Sequence, residues 1–338
     1  MFRAFLDRIR GALARLFRRR PRVAAPGRWI RGKESSWRGL LRVAPWVMPS
    51  REYMLYDPGT SRLRRWSGRP LLVLLHGCRQ APEEFTAAMG IAALADEHGF
   101  LVLVPRQTEK ANAWCCWNWF DGATADGNGE AAIVVAQVRK VQREYRVQSG
   151  AVFVAGMSAG GALAATLAVR HPDRFAGAFV HSGLPCGAAR SVASATSVMK
   201  RGPDVNVAEI GGAARTRAGG TVRMPLVVVQ GEADEVVAMA NARALVRQFL
   251  ALNGLPAGAD EDALPAPDAA SVEVLEGGRE MKVADYKDAS GVVVRFIRVP
   301  GLGHAWSGGD AQHPFNDARA PSSAQLLVEA MASWRGAA

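Results

Sequence analysis

The sequence predicts an α/β fold, a mostly parallel central sheet with helices on both faces. Two observations carry this. Six short apolar runs rich in Val and Leu recur along the chain, and stretches of helical pattern separate them. The charge-free stretch 151–169 also divides into a β-type run and an Ala/Leu-rich helical run around Ser158. Gly156, Gly160 and Gly161 interrupt it, so it reads as strand, sharp turn and helix rather than as a membrane span.

Taken in order, the chain opens with a basic amphipathic arm, residues 1–50. Residues 1–70 hold 18 Lys and Arg against 4 Asp and Glu, which more than accounts for the net charge of +11. The rest of the chain is close to neutral, and its balance of apolar and charged residues is that of a globular protein. Phe2, Phe5, Leu6, Ile9, Leu13, Leu16 and Phe17 recur at helical spacing, with arginines on the other positions. Arg8, Arg10 and Arg15 break the apolar run that a secretory signal needs, which points to a cytoplasmic, granule-surface or membrane-surface location. The stripe suits contact of residues 2–20 with a membrane or storage-granule surface. Nucleic acid is not expected as a partner, because phosphate binding needs the charge without the stripe.

The body, 51–338, reads as one catalytic domain. Arg51–Trp66 suits an antiparallel edge hairpin. Buried strands are expected at Leu71–Leu75, Leu101–Val104, Val152–Ala155, Gly177–Val180, Leu226–Val229 and Val292–Val299. Helices are expected at Phe85–His98, Gly129–Val147, Ala159–Arg170, Met239–Leu252 and Pro321–Trp334. Residues 191–223 read as a Gly/Ala-rich excursion over the sheet, and 255–270 as an irregular exposed insertion.

Gly156-Met157-Ser158-Ala159-Gly160 has the G-x-S-x-G pattern between a predicted strand and a predicted helix. Such a turn admits only small residues two positions either side of the serine and lifts the hydroxyl above the sheet edge, as in α/β-hydrolases. A serine hydroxyl needs a base, and the base needs an orienting acid; in this fold both follow later, acid first, on loops beyond strands. Asp234 follows Leu226–Val229, with Glu232 and Glu235 as rivals read as exposed charges. His304 follows Val292–Val299, flanked by glycines. His98, His171 and His313 read as surface residues and His181 as structural. Cys78, after Leu71–Leu75, and Ala159 are placed to supply the backbone N–H groups of an oxyanion hole, with His76 holding the first loop. Trp114, Trp117 and Trp306 are candidates for an apolar substrate wall, whereas Trp119 and Phe120 read as core. Four cysteines allow three complete pairings. No Cys/His spacing suits zinc and no glycine-rich loop suits phosphate, so neither metal nor cofactor is expected.

Together Leu75–Cys78, Cys116–Phe120, Gly156–Gly161, His181–Pro185 and Gly301–Gly309 resemble the polyhydroxybutyrate-depolymerase family of esterases, over roughly residues 51–334. The resemblance implies a single-domain α/β-hydrolase, a Ser158/Asp234/His304 triad and kinship with feruloyl and acetylxylan esterases. It favours a Cys78–Cys116 disulfide. The expected activity is serine-dependent hydrolysis of carboxylic esters, with polyhydroxyalkanoate polyester or oligomers as substrate. A feruloyl, acetylxylan or small-acyl esterase is the alternative, followed by a peptidase on the same scaffold.

Overall fold

Runs of Val, Leu and Phe too short for helices form the centre of a sheet, because β-branched and aromatic side chains pack well on a pleated surface covered on both sides. The computed structural model describes residues 27–36, 50–59, 68–258 and 263–336. Its strands are β1 (Arg28–Ser35), β2 (Ser50–Asp57), β3 (Arg69–Leu75), β4 (Leu101–Pro105), β5 (Val147–Met157), β6 (Gly177–His181), β7 (Leu226–Gly231), β8 (Ala269–Val274), β9 (Glu280–Asp288), β10 (Gly291–Val299), β11 (Trp306–Ser307) and β12 (Asn316–Asp317). The first ten form one sheet in the order β1-β2-β4-β3-β5-β6-β7-β10-β9-β8. The six strands from β4 to β10 in that order run parallel; β1 and β2 at one edge and β9 and β8 at the other are antiparallel.

The helices are α1 (Pro82–Met89), α2 (Ile91–His98), α3 (Gly122–Ala125), α4 (Gly129–Glu144), α5 (Ala159–Arg170), α6 (Val192–Arg201), α7 (Val207–Arg217), α8 (Met239–Leu252) and α9 (Ser323–Gly336). Side chains alternate across each strand, so the sheet has two cores. Leu71, Val73, Val152 and Val154 face α4, α5 and α8 through Val134, Leu163, Leu245 and Phe249. Leu72, Leu74, Phe153 and Ala155 face α1, α2 and α9 through Phe85, Ile91, Leu327 and Trp334. The sheet is thus covered on both faces, as the apolar runs predict.

Several boundaries differ from expectation. The helix expected over Phe85–His98 is two, because Gly90 takes a left-handed conformation (φ 63°) that closes α1 and opens α2. The stretch expected as helix to Val147 ends at Glu144, and Val147 begins β5. The strand in Arg51–Trp66 pairs with β4 and with β1, not with a hairpin partner of its own. β1 lies inside residues 1–50, so the basic segment contributes an edge strand from Arg28 onward. The amphipathic stretch 2–20 lies outside the described residues. Residues 191–223 contain α6 and α7, the first opened by a capping box between Ser191 and Ser194. β8 and β9 were not foreseen. β9 alternates buried Met281 and Val283 with charged neighbours, and β8 is exposed along its whole length, so neither makes an apolar run.

The end of α8 is tied to the start of β7 by one side chain. Asn253 Nδ2 donates to Met224 O at 2.9 Å and to Phe249 O at 2.7 Å, and its Oδ1 accepts from Met224 N at 2.7 Å. N253A should therefore cost about 2 kcal/mol in urea denaturation; a loss under about 0.5 kcal/mol would show that water replaces these bonds freely.

Candidate active site

Three loops at the carboxyl ends of β5, β7 and β10 meet above the sheet. Between β5 and α5 only Ser158 intervenes, held at φ 55°, ψ −122°. A side chain in this region costs on the order of 1–3 kcal/mol and persists only where surroundings impose it. Here they do. A Cβ on Gly160 would stand 2.2 Å from Leu75 O, and one on Gly156 would stand 2.3 Å from Gly160 O, so the turn closes only with glycine at both positions. Ser158 N–H donates to His181 O at 3.0 Å.

After β7 the chain turns through Asp234, whose carboxylate is wholly removed from solvent. Its Oδ1 accepts from the backbone N–H groups of Val236 and Val237, each at 2.9 Å, and its Oδ2 from Gln230 Nε2 at 3.1 Å. His304, on the loop after β10, has Nδ1 at 2.8 Å from Asp234 Oδ2 and Nε2 at 3.0 Å from Ser158 Oγ. The carboxylate accepts only, so Nδ1 carries the proton and Nε2 is left to accept from the serine hydroxyl. Burial pushes the Asp234 pKa up, but the His304 hydrogen bond and charge, the Val237 N–H and the Ser182 hydroxyl outweigh it and hold the group below its ordinary value. Glu232 and Glu235 are exposed; Glu232 pairs with Lys282 at 3.2 Å and Arg298 at 3.7 Å.

The His76–Cys78 loop lies against the serine: a Cβ on Gly77 would stand 3.6 Å from Ser158 Cβ. Ala159 opens α5, so its N–H has no partner within the helix. Cys78 is disulfide-bonded to Cys116, and Arg79 N–H donates to Trp114 O at 2.8 Å, which joins the two loops twice. His76 is fully buried. Its Nδ1 donates to Gly77 O at 2.8 Å and its Nε2 accepts from Gln107 N–H at 3.1 Å. Burial drives its pKa down to about 4, so it stays neutral.

Beneath these loops sits a buried polar cluster that the sequence reading missed. Glu130 accepts from Arg51 at 2.9 Å, Gln107 Nε2 at 2.6 Å, Asn118 N–H at 2.7 Å and Asn118 Nδ2 at 3.1 Å. Gln107 Nε2 also donates to Cys116 O at 2.9 Å. The signal available in the sequence was a carboxylate on the apolar face of α4, a place where an acid needs a partner.

Two of the three tryptophans placed on a substrate wall do not belong there. Trp117 and Trp306 are fully buried and present no surface to a substrate. Trp117 packs 5.5 Å from the His76 ring; Trp306 stacks on His181 at 5.0 Å and meets Phe85 edge-on at 5.7 Å. The loops that carry them turn inward, so their aromatic area fills the core. Trp114 is 55% exposed, with the Arg79 guanidinium 3.7 Å above its ring, at an open cleft that Arg106 and Cys115 also line. Trp119 is buried as expected, and Phe120 packs partly buried against the same core. His171, expected at the surface, is half-buried and bonds Gly127 O at 2.8 Å.

The family model described as Esterase PHB depolymerase matches residues 51–264. Poly(3-hydroxyalkanoate) depolymerase C of Paucimonas lemoignei is 34% identical over 239 residues, covering 70% of this chain. The chain spans only about half, 54%, of that relative's length. Feruloyl esterase B of Thermothelomyces thermophilus is 27% identical over 205 residues, 59% of this chain and 70% of that protein. The structure of an acetyl xylan esterase from Aspergillus awamori superposes with a TM-score of 0.62 at 18% identity, covering 81% of this chain and 94% of the other. That last likeness shows the fold.

Two predictions follow from the buried groups. E130A leaves the Arg51 guanidinium buried without its carboxylate and should cost about 3–5 kcal/mol in chemical denaturation; a loss below about 1 kcal/mol would mean that the cluster is wet. Burial, followed for His181 by the charge of His304, drives the His181 pKa down to about 3. In the unfolded chain His76 and His181 take up protons near the ordinary value of about 6.5. Their contribution is therefore complete above about pH 6.5 and is lost as pH falls toward 4, with a slope approaching about 1.4 kcal/mol per pH unit for each. Urea midpoints at pH 7.5 and 5.0 should differ accordingly, and equal midpoints would contradict the neutral buried state.

Proposed function

The chain belongs to the PHB-depolymerase family of esterases, and on that footing we propose that it hydrolyses carboxylic esters through an acyl-enzyme on Ser158. One observation carries the reading: the unbroken run of hydrogen bonds from the buried Asp234 carboxylate through His304 to Ser158 Oγ, at 2.8 and 3.0 Å. In this reading His304 Nε2 takes the serine proton as Oγ attacks the ester carbonyl. Asp234 holds the Nδ1–H tautomer and stabilises the imidazolium that forms. The N–H groups of Cys78 and Ala159 bind the oxyanion, where loss of one donor costs about 3 kcal/mol in such sites. The alcohol then leaves with the proton from His304, water attacks the acyl-enzyme, and the acid is released.

The substrate proposed is a polyhydroxyalkanoate polyester or its oligomers. The relative with 34% identity, named for that activity, supports this choice. Feruloyl esters, which the second relative's name supports, are the alternative, with acetylated-xylan or small acyl esters beside them. Trp114, the one exposed member of the three tryptophans, is the aromatic side chain left to meet the substrate.

S158A should abolish ester hydrolysis and leave the circular dichroism spectrum unchanged; turnover persisting in that variant would remove the serine from the mechanism. A panel of 3-hydroxybutyrate oligomers, feruloyl esters, acetylated xylan and a peptide amide should give the highest kcat/KM on the oligomers. Faster cleavage of the feruloyl or acetyl esters would transfer the assignment to the alternative, and faster cleavage of the amide would make the protein a peptidase.

A further inference from the structure

Asp234 is gripped at both carboxylate oxygens, and the two grips differ in origin. Oδ1 takes backbone N–H groups of its own turn, from Val236 and Val237. Oδ2, the oxygen that also receives His304 Nδ1, takes a side-chain donor, the Gln230 amide at 3.1 Å. Gln230 is the penultimate residue of β7, follows three consecutive valines and is fully buried. Its Nε2 donates a second time, to Val237 O at 2.9 Å. A carboxylate and a carbonyl accept only, so the amide has one orientation, with both protons given away on that side. Its Oε1 is buried and has no partner among the described residues. An unmatched buried acceptor is destabilising, and one more apolar residue on β7 would have avoided it. Packing therefore does not account for an amide here, whereas its two bonds to the Asp234 turn do.

We propose that Gln230 is a positioning residue for the acid of the triad. Its amide clamps the Asp234 carboxylate against rotation and, by sharing Oδ2 with His304 Nδ1, sets how strongly that oxygen holds the imidazolium. Val237 closes the clamp, since its N–H donates to Asp234 Oδ1 while its carbonyl accepts from Gln230. The far side of the turn is stitched to the loop that carries His304, with Glu232 N–H on Val299 O and Ala233 N–H on Leu302 O, each at 3.0 Å. Gln230 touches no reacting atom, and the clamp rests on the Ser158/His304/Asp234 assignment proposed above. The titratable groups that face Asp234 are His304 and, from β6, His181, which burial keeps neutral. Glu232 faces Lys282 from β9 and Arg298 from β10, and Lys200 from α6 donates to Glu235 O at 2.6 Å.

The test measures kcat, KM and the pH profile of kcat/KM on p-nitrophenyl butyrate for Q230M and Q230E, with circular dichroism to establish folding and S158A as the control. Methionine keeps the volume and removes the donor, so Oδ2 holds the His304 imidazolium more strongly while the carboxylate is less firmly placed. The clamp predicts for Q230M a kcat about tenfold lower, a KM within about twofold of wild type, and an acid limb moved up by about half a pH unit. Q230E sets a second carboxyl against Asp234, and two carboxyls that close share one proton. Its kcat/KM should therefore fall with rising pH across the range where the wild type is level. That profile decides the matter on its own if Q230M fails to fold. The wild-type profile in either folded variant, whatever its kcat, overturns the clamp and leaves Gln230 a packing residue. Turnover in S158A would instead overturn the assignment of the nucleophile and the clamp with it, a separate failure that the control identifies.

Discussion

A carboxylate taken wholly out of water must be matched by donors, and the candidate site is organised by how Asp234 is matched. Two backbone N–H groups of its own turn, the Gln230 amide and His304 Nδ1 all converge on it. Each donor comes from a segment fixed by the sheet: β7 and its turn, and the loop beyond β10. Because those strands are neighbours, the imidazole is delivered to the serine without a long lever. A displaced strand would leave a buried charge without a partner, so the register of the sheet and the geometry of the site are one constraint.

A second buried carboxylate does the same for the other side of the cleft. Glu130 is on a helix, yet the groups it gathers belong to β2, to the segment after β4 and to the tryptophan loop. Through Gln107 it reaches both His76 and the carbonyl of Cys116, and the disulfide from Cys116 to Cys78 closes the circuit. The loop bearing one proposed oxyanion donor is therefore held covalently, by a neutral histidine and by an ion pair. That is the preorganisation electrostatic stabilisation requires, because a donor that must first be found contributes little.

Much of the centre was legible. Val152–Ala155 and Leu226–Val229 fall within observed strands, and the helices at Ala159–Arg170 and Met239–Leu252 match residue for residue, because strands and helices buried on their working faces make unmistakable apolar patterns. The edges were not legible. β1 carries arginine and lysine and β8 is exposed, since an edge strand tolerates charge on its open side, and β9, paired between β10 and β8, alternates. The tryptophans failed for a related reason. A large aromatic ring serves equally as core or as binding wall, and nothing in its neighbours' identities tells which way its loop turns.

By itself the sequence determined the fold class, the strained serine between two enforced glycines, and the chain order of acid and histidine. These depend on local sterics and on periodicity, which are written into short segments. Only the tertiary structure decided which of three neighbouring carboxylates is buried, which tryptophan keeps open surface, and that Glu130 stands behind the loops. Those outcomes depend on contacts between segments tens of residues apart, where the free energy of a polar group is set by the partners the fold brings to it.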